Sequence, residues 1–486
     1  MKQELEVQMI GHACLRIEGR FGALLCDPWF LNEPIFDCTT WRFPAAVVPP
    51  SEVVRDLDYL FITHAHEDHF HIPSIDYISR DVQVLLVEYD HHPGLRAQTI
   101  ERTMRALGFH RIRKLRSWET VSLSDEVTFT VIPAARTRTH DWENAGFVID
   151  HPGCRLINMN DNIGDARLYR EVAERFSRFD IGFVQAGGVS MYPGCYRMSQ
   201  EQMLAEAAKR IFNPAYQKAM IDGLKLDRIV PFAADFCWLD DQYFHCNQTN
   251  RSTPLIFTQW IERDYPPGEP EVVVMYPSDT WSASAGLTRR HPEIDWHNYL
   301  DEIRAVKARF ADKVAAARAF VEASDQRDLL ARSRAYTAHI NRWICQEYID
   351  FTGRFRLVIE GADAGFSFVL KASPQAGFRI DWDDDEPVDQ TLYIPQAVWA
   401  GILEGRLMWN PVQWASQNEQ HVPYRIDLGR FWFWLEFYID LNNRSVQALV
   451  ESIQHPHLGA AIRPQWGTFP QPGEWEAVRQ AGVSGA

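Results

Sequence analysis

Four residues with the right chemistry for a metal ion sit within six positions of one another. The segment ITHAHEDHF carries His64, His66, Asp68 and His69. Imidazole nitrogens and carboxylate oxygens are good ligands for zinc, iron or manganese. The segment follows directly on an apolar run, DYLFI, that reads as a buried strand. Alternation at a strand end lets His64 and His66 point the same way. The turn that follows can bring Asp68 and His69 alongside, so one short loop can serve two neighbouring ions.

The surrounding elements must hold that loop still. Short apolar runs alternate with helical stretches from residue 1 to about 290. LEVQMI, ALLCDPW, DYLFITHA, VQVLLVE, VTFTVIPA, GFVID, RLINMND and RIVPFAA read as strands. Residues 165–178 and 199–222 have helical spacing with charged faces, and Ser199 with Gln202 is spaced for a capping box. Strands grouped around charge-rich helices predict an α/β sandwich. Residues 296–350 read as two long helices, DEIRAVKARFADKVAAARAFVEAS and RDLLARSRAYTAHINRWICQEYI. Beyond 351 short alternating runs return between Gly, Pro and Asp, as in strands. TLYIPQAVWAGILEG reads there as a helix stopped at Gly405. The expected division is a metal-binding catalytic domain over 1–295, a helical bridge over 296–350 and a smaller α+β domain over 351–486.

The chain has 486 residues, 49 basic and 65 acidic, for a net charge of −16. That balance argues against a general nucleic-acid binder, because the phosphate backbone would repel it. No window of about 18 apolar residues exists, so no membrane span is expected. The first twenty residues carry charges of both signs and no long apolar stretch, so no secretory leader is expected and the cytoplasm is the default compartment. Eight scattered cysteines without a Cys-x-x-Cys pair argue against a disulfide framework or a zinc ribbon. Eight of the 17 tryptophans fall between Trp382 and Trp475. Trp399, Trp409 and Trp414 among them could fill a core or line a cavity, and packing is the favoured expectation.

The spacing His64-x-His66-x-Asp68-His69 closely resembles the His-x-His-x-Asp-His motif of the metallo-β-lactamase superfamily. The resemblance implies an αββα sandwich and further ligands at later strand ends. His140, in ARTRTHDWENAGFVID, matches the next family histidine, with His151 a weaker rival. Asp161, in LINMNDN, matches the bridging aspartate. Asp27, in LLCDPW, matches an aspartate that braces the metal loop by hydrogen bonding. The N-terminal GHACLRI resembles the Gly-His element of the ascorbate-6-phosphate lactonase branch and makes His12 a candidate to support the metals or touch substrate. One departure stands out. The family's Pro-x-His is here Pro231-Phe232-Ala233, so the final histidine is missing. Asp235 is a nearby substitute, and a substrate or water is the alternative.

LLCDPWFLNEPIF, HAHEDHFHIPSI, AGGVSMYPGCY, PFAADF and GRLMWNPVQWASQNE resemble, in order, stretches of the catalytic part of the CMP-N-acetylneuraminate hydroxylase family, which shares the missing histidine. That family also carries a Rieske iron–sulfur domain, and no Cys-x-His with Cys-x-x-His pair is found here. The resemblance implies one or two irons held by His64, His66, Asp68, His69, His140 and Asp161. It implies hydroxylation of a small polar molecule, with Asp68 and His12 as the catalytic candidates; without the Rieske ligand pair, electrons would come from an external electron-transfer protein or another cofactor. A zinc- or manganese-dependent hydrolase of an ester, lactone, amide or phosphodiester is the alternative. Arg136 and Arg138 precede His140 and could meet an anionic group, or belong to a solvated loop. Nucleic acid and membrane are not expected as partners, and homo-oligomers are compatible with the C-terminal module forming a dimer contact.

Overall fold

The computed structural model describes residues 4–422 apart from 37, 65, 89–99, 102, 106, 135–143, 163, 187–191, 211–213, 250–251, 342–351, 362–364, 405–406 and 408–416. His140, Arg136, Arg138, Trp409 and Trp414 lie outside the described residues.

Two sheets face each other in the first 290 residues. The first has eight strands in the spatial order Gly286–Thr288, Thr280–Ser282, Glu6–Gly11, Cys14–Gly19, Gly22–Cys26, Tyr59–Ile62, Gln83–Val87, Ile112–Leu115. The second has seven, in the order Glu271–Val272, Arg228–Phe232, Ile181–Gln185, Cys154–Asn160, Gly146–His151, Thr128–Ile132, Thr120–Ser122. Period-two alternation makes each sheet two-faced. Tyr59 and Phe61 of one strand turn inward, while Leu60 and Ile62 turn outward. The inner faces share one core, in which the Phe61 ring lies 4.9 Å from Phe129 and 5.3 Å from Phe147. The outer face of the first sheet packs on Ile72, Ile75, Ile100 and Met104. The outer face of the second packs on the helices Ala166–Phe176, Pro214–Leu224 and Pro254–Asp264. These are the four layers of an αββα sandwich.

The predicted strands of this region all form. Two helical readings are corrected. Residues 199–222 form two helices, Gln200–Arg210 and Pro214–Leu224. Proline lacks the N–H that a continuous helix would need and suits the first turn of a new one. The capping box is present: the Gln202 amide N–H donates to Ser199 Oγ at 3.2 Å and the Ser199 amide N–H to Gln202 Oε1 at 2.9 Å. The stretch read as one helix from Asp301 is split at Phe310 into Tyr299–Arg309 and Ala311–Glu322. A third helix, Leu329–Ile340, follows.

A separate five-stranded sheet follows, in the order Gly377–Asp381, Phe366–Ser373, Gly353–Glu360, Gln390–Pro395, Gln417–Gln420. Its apolar face, with Phe355, Leu357 and Ile359 alternating inward, packs on the helix Gln396–Leu403 and on Leu329 and Tyr336. TLYIP is therefore a strand, and the helix begins only after Pro395. Trp399 is fully buried and its indole N–H donates to Ser333 Oγ at 2.8 Å, so it fills the core. Arg197 ties this sheet to the sandwich. Its guanidinium donates to Gln417 and Glu360 and stacks 3.2 Å from the Tyr393 ring centroid.

Candidate metal centre

The chemistry-bearing residues collect at one rim of the sandwich, each just past a strand end. Asp27 follows Gly22–Cys26, His64 to His69 follow Tyr59–Ile62, Asp161 follows Cys154–Asn160, and Ala233 follows Arg228–Phe232. His12 sits in the tight turn between Glu6–Gly11 and Cys14–Gly19. Four residues at these turns are non-glycine with positive φ: His12 at 52°, Asp27 at 43°, Asn160 at 52° and Ala233 at 54°. Such conformations persist where surrounding structure holds them, and they cluster at functional sites.

The ligand-type atoms form two adjacent groups. His64, His66 and Asp161 make one, and His12, Asp68 and His69 the other, with the ligand atoms of each group within 4.8 Å of one another. Asp161 Oδ2 also lies 3.5 Å from His69 Nε2, so this carboxylate faces both groups. His64 Nε2 and His66 Nδ1 are 2.6 Å apart. Two nitrogen lone pairs at that distance need a proton or a cation between them.

A bracing layer sets the orientation of these rings. Asp27 is fully buried and accepts from the Thr63 amide at 2.8 Å, the Thr63 hydroxyl at 2.7 Å, His69 Nδ1 at 3.0 Å and Asn160 Nδ2. With Nδ1 bonded to Asp27, His69 turns its Nε2 toward the cluster. The Thr63 hydroxyl, having donated its proton, accepts from His64 Nδ1 at 3.0 Å, so His64 likewise turns Nε2 inward. This is the arrangement in which a carboxylate or hydroxyl fixes the tautomer of a ligating histidine.

His12 is held by the loop that lacks the final histidine. Its amide N–H donates to Asp235 Oδ2 at 2.8 Å, and its Nδ1 accepts from the Asp235 amide at 3.3 Å. That leaves Nε2 facing Asp68 Oδ2 at 3.0 Å. Asp235 thus spends its carboxylate on the His12 backbone and stands outside both ligand groups. His151 is excluded from the cluster on geometry. It pairs with Cys154 at the opposite end of the strand that leads to Asp161.

The electrostatics match a cation site. Burial works against ionisation of Asp68, but His69 and His12 outweigh it and hold the carboxyl well below its ordinary range. Burial likewise disfavours the charged form of His69, but Asp68, Asp161 and Asp27 push its pKa well above the usual value. Three carboxylates therefore converge on one imidazole. Asp68 Oδ1, His69 Nε2 and Asp161 Oδ1 are buried with no hydrogen-bond partner. Buried polar atoms are rarely left so. One or two divalent ions would satisfy them together, so the donor set fits a metal.

Of the candidate residues, His64, His66, Asp68, His69, Asp161 and His12 come together, and His140 is the one outside the described residues. The motifs did not reveal Thr63 or Asn160, which link Asp27 to the ligand loop. Their only sequence signal is that each immediately precedes a ligand candidate.

Comparison with known proteins agrees with this geometry. Residues 24–214 match the model of the beta-lactamase superfamily domain. A Rieske 2Fe-2S iron–sulfur protein of Mycolicibacterium smegmatis is 26% identical over 266 residues, covering 52% of this chain and 48% of that protein. The cytidine monophosphate-N-acetylneuraminic acid hydroxylase of Danio rerio is 20% identical, covering 54% of this chain and 43% of its own length. A metal-dependent hydrolase of Nanoarchaeum equitans is 21% identical, covering 38% of this chain and 72% of that protein. The chain spans about half the length of the Rieske and hydroxylase relatives it matches. Among the described residues no helix is long and apolar enough to cross a membrane. The rim that carries the histidine–carboxylate cluster is built largely by residues 24–214, the stretch that matches the beta-lactamase superfamily domain.

Proposed function

We propose that the chain is a metal-dependent oxygenase that hydroxylates a small polar molecule with one or two non-haem irons and an external electron donor. One observation carries this reading. Among the described residues, each ligand group is two imidazoles and one carboxylate. Two histidines and a carboxylate with open positions form the donor set typical of oxygen-activating iron, although zinc also accepts such ligands. Iron bound there would activate O2 with electrons from the external donor and supply the oxygen transfer.

The protein's own part is positioning. His64, His66 and Asp161, with His140, would hold one ion. Asp68, His69 and His12 would hold the other, with Asp161 facing both groups. His12 supplies the imidazole that position 233 lacks, and Asp235 fixes its angle. Before a cation enters, the proton between His12 Nε2 and Asp68 Oδ2 keeps the pair in place. Catalysis belongs to residues 1–295 in this reading, and the part beyond 351 serves as a cover or a contact surface. The electrons come from an external reductant in the same compartment, the cytoplasm.

The test is metal analysis with spectroscopy on protein purified without oxygen, followed by O2 uptake after chemical reduction. Iron in the cluster and reductant-dependent O2 uptake are expected. A zinc-only protein that consumes no O2 in any reduced state would sink the reading.

A hydrolase is the second reading, favoured by the relative named as a metal-dependent hydrolase, most of whose length is matched. A bound metal would then lower the pKa of water, and Asp68 would orient that water toward an ester, lactone or phosphodiester. Turnover of generic phosphodiesters or lactones with zinc or manganese, independent of O2, distinguishes it.

A further inference from the structure

Beside His12 lies a buried positive charge that the metal reading does not use. Arg42 is 3% exposed. It belongs to the short strand Trp41–Arg42, which pairs with Phe236–Cys237, so Arg42 and Phe236 are direct partners. The Phe236 ring lies 4.6 Å from the His12 ring. The guanidinium is pressed against the backbone next to His12: a Cβ on Gly11 would lie 2.9 Å from Nη1 and 3.3 Å from Nε. Gly11 also has φ 132°, so only glycine fits this approach.

One side of the guanidinium is committed. Nη1 donates to the Trp29 carbonyl at 2.6 Å, and the group sits 5.7 Å from the Trp29 ring centroid. The other side is not. Nε and Nη2 are both buried without a hydrogen-bond partner, and so is the indole Nε1 of Trp29. The Trp29 ring itself meets His12 edge-on at 5.5 Å. Nε–H and Nη2–H are the two parallel donors of one guanidinium edge, the edge that takes a carboxylate or phosphate bidentately. All three open atoms are donors, so only an acceptor can satisfy them.

The charge also lacks a close balance. Burial pushes the Arg42 pKa down to about 10, with Cys14 and Asp235 the neighbours that oppose this. Burial drives the Cys14 thiol far above its usual range, so Cys14 is neutral and balances nothing. Asp235 is already bonded to the His12 amide. A buried guanidinium left in this state is costly.

We propose that the Nε/Nη2 edge of Arg42, with Trp29 Nε1, is an oxyanion subsite beside the metal centre and binds a carboxylate or phosphate group of the substrate. Its role in catalysis rests on the metal-enzyme reading above; its existence as an anion site does not. The subsite makes the substrate anionic and places its charged group on the His12 side of the cluster.

The experiment uses the whole chain, stripped of metal with a chelator that is then removed by gel filtration. Sodium acetate and inorganic phosphate are titrated at constant ionic strength against sodium chloride, followed by thermal unfolding and calorimetry. A saturable rise in Tm with acetate or phosphate, absent with chloride, is expected, and the tighter of the two identifies the group. Arg42→Lys keeps the charge and loses the two parallel donors, so binding should weaken about ten-fold or more. Arg42→Met should abolish it. Trp29→Phe keeps the ring and loses Nε1–H, so it should weaken binding several-fold and serves if Arg42→Met does not fold. No saturable response in the wild-type chain, or an unchanged one in both Arg42→Lys and Trp29→Phe, overturns the subsite. Metal equivalents measured on the same samples keep the questions apart: a chain that binds oxyanion through Arg42 but takes up no metal refutes the metal enzyme and leaves the subsite standing.

Discussion

The two ligand groups are built from the same residue types but are held differently. His12, Asp68 and His69 are all buried, and both rings are gripped from behind, one by Asp235 and one by Asp27. In the other group only His64 is fully buried, while His66 and Asp161 are partly exposed. Its described bracing reaches His64 through Thr63 Oγ1. The first arrangement is buried and braced at both rings, and the second is more open. Ligands fixed by outer hydrogen bonds hold metal more tightly, and an open position is where substrate or water enters. The His12 group should thus be the tighter metal site and the His64 group the more exchangeable.

The largest break in this comparison removes what both groups share. Asp27→Ala would leave the Thr63 amide and hydroxyl, His69 Nδ1 and Asn160 Nδ2 without their buried acceptor. Orphaned buried donors cost about 1–3 kcal/mol each, so the total loss should exceed roughly 3 kcal/mol. Chemical denaturation should show that loss, and metal content should fall at both groups. A stable variant with full metal would remove Asp27 from the account. Asp161→Ala comes next. It faces both groups, so metal content should drop at both while the fold survives, because the side chain is partly exposed. Loss confined to one ion would show that Asp161 does not bridge.

His12→Ala separates the groups. The His64 group should keep its ion and the other should lose it, halving the metal equivalents read by atomic spectroscopy. Retention of both ions would leave His12 as a support or a substrate contact, the two roles that the motif resemblance offers. In stepwise chelation of the wild-type chain, the ion that leaves first should be the one that survives in His12→Ala. The reverse order would invert the comparison.

The sequence carried the site further than it carried the fold's connections. His64, His66, Asp68 and His69 were readable because a ligand-rich loop follows an apolar strand. Asp161 and Asp27 were readable because each closes a similar strand. The bracing by Thr63, Asn160 and Asp235 was not readable, since short polar residues after strands are common and only the third dimension brings them together. Arg42 was hidden for the same reason: one arginine in TTWRFP says nothing of its burial. Strand TLYIP was mistaken for helix because Trp399, Ile402 and Leu403 continue its apolar run at helical spacing, and the boundary at Pro395 falls inside that run. The β-formers Thr391, Tyr393 and Ile394 favour the strand, which pairs with Gly353–Glu360.

The smallest effect should come from Asp235, and it isolates bracing from ligation. Two hydrogen bonds join Asp235 to His12, one from each part of the residue. Asp235→Ala removes the carboxylate that accepts the His12 amide N–H but leaves the backbone N–H that faces Nδ1. The His12 tautomer should therefore persist, while its positive-φ turn loses one restraint. Outer partners of metal-binding histidines typically contribute 10- to 100-fold in affinity, so a weakening near about ten-fold is expected, at the His12 ion alone. Competition with a chromophoric chelator measures this directly, as one of two affinities shifting. If both shift, the loop after Phe232 supports the whole rim. If neither shifts, the backbone contact alone suffices to hold His12.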